Sequence, residues 1–181
     1  LRRLSKLKWL VIAGTGISDA GLIHLKGLKN LKLLNLTLAR ITDAGLVHLR
    51  ELTGLQSLTL YGAQITDVGL IHLRELSTLQ SISLTHTQVS GPGLAVLRGL
   101  TKLRSLGLSD SQVNDEALAN LREIITLQQL DLADTLVTDA GLVHLQGLSA
   151  LKQLDLRDTQ VSDAGLTRLQ RALPNCHIKT R

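Results

Sequence analysis

Leucine recurs in this chain at a spacing of 24 residues. Seven leucines mark the period, and each can be taken as position 1 of a unit: Leu7, Leu31, Leu55, Leu79, Leu103, Leu127 and Leu151. Positions 4, 6, 11, 16, 19 and 22 of every unit are also apolar, so all 49 positions compared are apolar in a chain that is 44% apolar. Chance does not produce this agreement. An internal repeat of this length indicates a stack of small units that bury one another's leucines.

Each unit predicts a strand followed by a short capped helix. Positions 4 and 6 alternate as in a β-strand, whereas positions 16, 19 and 22 recur every three residues, which suits one face of a helix. Position 12 is always Ser, Thr or Asn, the residues that favour helix N-caps. Asp follows in six units, where a carboxylate suits the positive end of a helix. Position 15 is Gly in every unit except the fifth, which has Ala117, and glycine there indicates close approach to a neighbouring element.

The unit pattern, LxxLxLxxTx(I/V)(T/S)DAGLxxLxxLxx, resembles that of leucine-rich repeat proteins over residues 1–178. It resembles in particular bacterial proteins with TDAGLxHL units, and it is similar to the cysteine-containing subclass found in F-box ubiquitin-ligase subunits. Position 9 is Asn or Cys in that subclass but Thr, Ala or Ser here, which favours the bacterial type. The resemblance implies an α/β solenoid: a horseshoe with a parallel β-sheet on its concave face and short α-helices on its convex face.

We predict a single leucine-rich repeat domain over residues 1–181. Residues 1–6, with Leu1 and Leu4 at positions 19 and 22, form the end of a truncated repeat, and seven 24-residue repeats start at 7, 31, 55, 79, 103, 127 and 151. Because the chain starts within a unit, we expect it to be part of a longer protein.

The C-terminal residues 174–181 predict a strand that caps the sheet. Pro174 stops the last helix, and Ile178 takes position 4 of an incomplete eighth unit. An exposed sheet edge is usually protected by charge, and three residues can supply it here: His177, Lys179 and Arg181.

Residues that point out of the sheet form the candidate partner-binding surface. They occupy positions 3 and 5 of each strand, flanked by positions 7 and 8. The N-terminal half of this surface is mainly apolar: Trp9, Val11, Leu33, Asn35, Leu38 and Tyr61. Trp9 and Tyr61 are the only aromatic residues of the chain, and aromatic side chains often anchor interfaces. An open alternative is that Trp9 packs against a preceding repeat.

The C-terminal half of the same surface is acidic and holds one cation: Asp110, Asp131, Asp134, Asp155, Arg157 and Asp158. Stacked like charges repel, so stability alone would not favour the row. We consider a basic partner or a bound cation of the Ca²⁺ type, against the alternative of a solvated polar face. A metal is disfavoured because the carboxylates lie one repeat apart. We therefore predict no metal and no cofactor.

Other classes of function find little support. The convex face carries a basic row at position 20 and histidines at position 18, and the net charge is +5. The row lacks stacking aromatics and its arginines are followed by glutamates, so a solvated helix face is favoured over a nucleic-acid site. Cys176 and His177 are adjacent in a strand and point to opposite faces, which disfavours a catalytic pair. No apolar run approaches the 18 residues of a membrane span.

The resemblance therefore predicts a non-enzymatic module that binds a protein partner through the concave sheet face. The acidic half favours a basic partner, and we expect a monomer with no nucleic acid and no membrane insertion. The alternative is a structural spacer of a larger protein with no ligand of its own. The compartment is left open, with the cytoplasm slightly favoured.

Overall fold

Eight three-residue strands lie side by side in chain order and form one parallel sheet. The strands are β1 Trp9–Val11, β2 Leu33–Asn35, β3 Ser57–Thr59, β4 Ser81–Ser83, β5 Ser105–Gly107, β6 Gln129–Asp131, β7 Gln153–Asp155 and β8 His177–Lys179. Each residue of strands β1 to β7 pairs with the residue 24 positions later in the next strand; Leu34, for example, pairs with Leu58. The chain is a leucine-rich repeat solenoid, as predicted. This computed structural model describes residues 4–180. Leu1 of the truncated repeat and Arg181 of the charged edge lie outside the described residues.

The leucines of neighbouring units form one continuous core behind the sheet. Those at positions 1, 4, 6, 16, 19 and 22 of the central units are almost completely buried. At the two ends of the stack some of these positions are only partly buried, because one neighbour is missing from the described residues: Leu7, Leu10, Ile12, Leu166 and Ile178. Stacking, rather than any single unit, buries the leucines.

The helical segments are short, as predicted, but several of them are 3₁₀ rather than α-helical. The α-helical stretches are Asp19–Leu22, Asp43–Leu46, Asp115–Leu118 and Asp163–Ala172, and the 3₁₀ stretches are Ile23–Leu25, Val47–Leu49, Gly69–Leu73, Pro92–Gly99 and Gly141–Leu145. Three of the seven units contain only a 3₁₀ segment. A 3₁₀ helix has three residues per turn, which matches the three-residue spacing of the buried leucines better than 3.6 does.

The aspartate at position 13 joins neighbouring units. In the second unit, Asp43 Oδ1 accepts a hydrogen bond from Thr66 N at 2.9 Å, and Asp43 Oδ2 accepts one from Thr66 Oγ1 at 2.6 Å. The same two bonds occur at five junctions: Asp19–Thr42, Asp43–Thr66, Asp67–Ser90, Asp115–Thr138 and Asp139–Ser162. The predicted capping by position 12 is found in part: Thr42 Oγ1 accepts from Ala44 N, but Ser18 makes no such bond.

The glycine at position 15 makes room for this aspartate. A methyl group on Gly45 would overlap the Asp19 carboxylate, and the same holds for Gly69 and Asp43. The junction between the fourth and fifth units has the reverse arrangement, with glycine at position 13 and Ala117 at position 15. There a methyl on Gly91 would overlap the side chain of Ala117. At each junction, one side chain fills the space between positions 13 and 15 of adjacent units. It is the aspartate at position 13 or the alanine methyl at position 15, and the residue that faces it is glycine.

Candidate functional site

The residue at position 8, which follows each strand on the rim of the concave face, has a left-handed backbone in all seven units. The φ angles are 64° for Gly14, 54° for Leu38, 70° for Gly62, 55° for His86, 51° for Asp110, 53° for Asp134 and 56° for Asp158. Gly, Asn and Asp adopt this conformation more readily than other residues. The aspartates at position 8 therefore have a backbone reason to be there.

The aspartates at position 5 also support the local backbone. Asp131 Oδ1 accepts a hydrogen bond from Ala133 N at 3.1 Å, and Asp155 Oδ1 accepts one from Arg157 N at 3.2 Å. Asn35 makes the same bond to the amide two residues ahead at 2.9 Å. Such turns are typical of Asn and Asp. Because an uncharged asparagine makes the bond equally well, the turn does not require a carboxylate charge.

Two acidic side chains of the C-terminal half have basic partners. Arg157 donates from Nη2 and Nε to the Asp155 carboxylate, at 2.8 Å and 2.9 Å, and these bonds lower the pKa of Asp155. His86 Nδ1 contacts Asp110 Oδ2. Asp131 has a different environment: Ser109 Oγ lies 3.0 Å from its Oδ2. Within residues 4–180, no basic group lies within 4.0 Å of the Asp131 carboxylate.

The apolar half exposes large side chains to solvent. Trp9 is 67% exposed, Val11 62%, Leu38 57% and Tyr61 39%, and Leu33 is half-buried. The Tyr61 ring stacks on the ring of His86, with centroids 6.0 Å apart and planes inclined by 24°.

A polar depression, which sequence reasoning missed, lies on the concave face across strands β4 to β8 and includes Asp131 and Asp155 of the acidic half. Its volume is about 300 Å³. Small polar residues of β4 and β5, and the aspartate of β6, line its centre: Ser81, Ser83, Thr85, Ser105, Gly107 and Asp131. Lys179 lies at its C-terminal end. The signal for it was the run of Ser and Gly at outward positions 3 and 5 of the fourth and fifth units.

The convex side is a network of exposed ion pairs. Lys26 pairs with Glu51 at 3.1 Å, and Arg74 pairs with Glu75 at 2.9 Å. His72 contacts Arg50, and partial burial, followed by the Arg50 charge, lowers the pKa of His72. Exposed apolar residues, among them Val68 and Val143, also lie on this side.

The chemistry of the remaining candidates is limited. Cys176 is buried, and burial raises the pKa of its thiol, whereas His177 is exposed. Over residues 4–180, no three His, Cys, Asp or Glu side chains are grouped so that they could hold a metal ion. No helix in that range is long and apolar enough to cross a membrane.

Comparison with known proteins agrees with the architecture. The family described as Leucine Rich repeat matches residues 27–49 and 148–169. An internalin of Listeria monocytogenes is 27% identical with a TM-score of 0.78, over 97% of this chain and 48% of its own length. A second internalin of that species is 28% identical with a TM-score of 0.70, over 96% and 80%. A leucine-rich repeat protein of Leptospira interrogans, 24% identical with a TM-score of 0.70 over 98% and 50%, shares the fold.

The chain therefore carries leucine-rich repeats in the solenoid arrangement. It spans about half the length of the first internalin and of the Leptospira protein. No curated protein matches its sequence. The finer assignment to the bacterial TDAGLxHL type stays a prediction.

Proposed function

We propose that this chain, as a leucine-rich repeat solenoid, is a protein-interaction module that binds its partner through the concave face. Solenoids bind through such extended surfaces. The apolar half supplies the anchoring contacts, since desolvated aromatic and apolar side chains contribute most to binding energy. The charged half contributes mainly to orientation and to the rate of encounter.

Leu38 is the observation that carries the proposal. Its φ is 54°, a conformation that costs a residue with a Cβ about 1–2 kcal/mol. Its side chain is 57% exposed, so burial in the core does not compensate for this strain. Other units place Gly, Asp or His at the same position, and these residues adopt the conformation more easily than leucine. Strained residues of this kind cluster at binding sites, and a partner that covers Leu38 would explain why leucine stands there.

Site-specific photo-crosslinking tests the proposal. Two variants of the chain are made, in which a photoreactive amino acid replaces Leu38 or Val143. The two side chains are almost equally exposed, at 57% and 55%, but they lie on opposite sides of the solenoid, so position 143 is the control. We expect position 38, and not position 143, to crosslink one protein from cells of the source organism. Excess unlabelled chain should compete with this crosslinking.

A substitution then separates binding from folding. Leu38→Asn should leave the free energy of unfolding unchanged or raise it by about 1 kcal/mol, because asparagine tolerates the left-handed backbone. The same change should weaken binding of the crosslinked partner at least about tenfold, which corresponds to 1.4 kcal/mol. Val143→Asn is the control and should leave the affinity unchanged. A partner that crosslinks only from position 143, or ignores Leu38→Asn, contradicts the proposal.

A structural spacer is the second candidate function. The aspartate bonds that brace five of the unit junctions favour it, because they stiffen the stack without reference to a ligand. Absence of specific crosslinks from either position would support the spacer over the interaction module.

A further inference from the structure

We infer that the polar depression at the centre of the concave face receives a basic side chain, arginine or lysine, of the protein partner. The inference rests on the proposed function and names the chemistry of one contact within it. Three features of the depression carry it: its shape, its hydrogen-bond acceptors and the charge of Asp131.

Gly107 gives the depression its shape. The neighbouring residues at position 5 are Ser83 and Asp131, so glycine leaves a gap between two side chains on adjacent strands. A Cβ at Gly107 would lie 3.1 Å from Thr85 Oγ1 and 3.6 Å from Ser83 Oγ. Glycine therefore leaves a narrow gap at β5 with hydroxyl groups at its base, and the depression around it, of about 300 Å³, accommodates a methylene stem with its charged head.

Hydroxyl and carboxylate oxygens surround this gap. Ser83 Oγ lies 3.4 Å from Thr85 Oγ1, and Ser109 Oγ lies 3.2 Å from Thr85 Oγ1 and 3.0 Å from Asp131 Oδ2. These oxygens accept hydrogen bonds, and the Asp131 carboxylate retains free acceptor capacity. A guanidinium or an ammonium group offers only donors, so it complements the lining.

The charge of Asp131 selects a cation over a neutral donor. Asn35 shows that the strand-end turn needs no charge, and Asp131 has no basic neighbour within 4.0 Å in the described part of the chain. Asp155, by contrast, is already neutralised by Arg157. Lys179 also lines the depression, but it lies at the C-terminal end in β8, whereas Asp131 in β6 pairs directly with Gly107 of β5. A partner's cation beside Gly107 would pair with Asp131, and charge-assisted hydrogen bonds are the stronger kind.

The test uses N-acetyl-arginine amide as the probe and N-acetyl-citrulline amide as its neutral, nearly isosteric control. Each is titrated into the ¹⁵N-labelled chain, and the backbone amide shifts of Ser105, Gly107 and Asp131 are followed. We expect the arginine derivative to shift these signals with weak, saturable binding, and to bind at least about threefold more tightly than citrulline. That ratio is the effect of one half-exposed charge pair. Equal binding of the two probes, or no shifts at these residues, overturns the inference.

Matched variants locate the binding. Asp131→Asn should reduce the preference for arginine to about one, and Gly107→Thr should abolish binding by filling the gap. Because a Cβ at Gly107 would lie 3.1 Å from Thr85 Oγ1, the free energy of unfolding of Gly107→Thr is measured alongside its binding. Glu116→Gln removes an equal charge from an exposed helical residue outside the lining and should leave binding unchanged. If Glu116→Gln weakens arginine binding as much as Asp131→Asn does, the attraction is general and the inference is wrong.

This test does not need the partner, so its outcome is separate from that of the proposed function. If arginine binds at Gly107 but position 38 gives no crosslinks, the cation site in the depression is supported and the proposed interaction module is contradicted. If Leu38→Asn weakens partner binding but arginine and citrulline bind equally, the interaction module is supported and the cation site is contradicted.

Discussion

The carboxylate of Asp67 in the third unit accepts four hydrogen bonds from the fourth unit. It accepts hydrogen bonds from Ser90 N, Ser90 Oγ, Gly91 N and Gly93 N, at 2.6–3.1 Å. Partial burial raises the pKa of Asp67, but the hydrogen bonds from Ser90, Gly93 and Gly91 outweigh burial, and the pKa lies below its usual value. Sequence reasoning placed an acid here for the helix end; it could not show that the donors belong to the next unit.

This lowered pKa predicts a loss of stability in acid. Since the pKa of Asp67 is lower in the folded than in the unfolded chain, its contribution is complete above the unfolded value of about 4 and is lost as the pH falls towards the folded value. Asp67→Asn should lower the free energy of unfolding by about 1–3 kcal/mol at pH 7. Urea unfolding should also show that the variant loses less stability between pH 5 and pH 3 than the unmodified chain does. Asp163→Asn is the control, because within residues 4–180 the Asp163 side chain accepts no hydrogen bond from a later unit. An Asp67→Asn chain with the unmodified pH dependence would contradict the assignment.

At the scale of the elements, the leucine pattern predicted the parallel strands, their register and one helical segment per unit, because burial of the same position in every unit leaves no other alignment. It did not predict the type of helix. A spacing of three residues fits one face of a short α-helix and also a 3₁₀ turn, and only the packed backbone distinguishes them. The sequence showed two separate exceptions to the repeat: Gly91 where other units have aspartate, and Ala117 where other units have glycine. The structure shows that the two exceptions are related, because these two residues face each other across one junction.

The exchanged pair predicts a strong coupling between two substitutions. Gly91→Asp alone should destabilise by about 1–3 kcal/mol through overpacking against Ala117, with a further backbone cost because the φ of Gly91 is 144°; Ala117→Gly alone should cost about 0.5–1 kcal/mol. The double variant keeps this backbone cost but restores the residue pair of the five other junctions, so it should be more stable than the sum of the two single changes predicts, by at least about 1 kcal/mol. Urea unfolding of the four proteins measures this coupling, and simple additivity would show that the two residues do not share one space.

The core of a strand gives a second prediction at this scale. Leu106 in β5 is buried between Ile82 and Leu130 of the neighbouring strands, so Leu106→Ala should cost about 2–5 kcal/mol. Leu136 is 51% exposed, and Leu136→Ala should cost less than about 1 kcal/mol. Chemical denaturation distinguishes the two, and equal losses would mean that the register of the units is misassigned.

At the scale of the whole molecule, the concave face runs from apolar side chains at β1 to charged side chains at β7. The outward positions and this polarity could be predicted from alternation along the strands. The sequence could not predict which of these charges lack a partner, because that depends on side-chain contacts in the folded chain. His86 contacts Asp110 of the next unit, and Arg157 pairs with Asp155. Asp134 and Asp158 are exposed, and over residues 4–180 neither has a basic group within 4.0 Å.

The polarity predicts that the two ends of the face control different rates of binding to the crosslinked partner. Trp9→Ala removes an exposed aromatic anchor, so it should raise the dissociation rate roughly 30-fold, the equivalent of about 2 kcal/mol. Asp134→Asn with Asp158→Asn should instead slow association by about three- to tenfold at low salt. At 1 M salt the difference should vanish, because the screening length falls to about 3 Å. Surface plasmon resonance measures both rates. Arg74→Ala on the convex side is the control; if it changes binding while the concave variants do not, the partner uses the helical side of the solenoid.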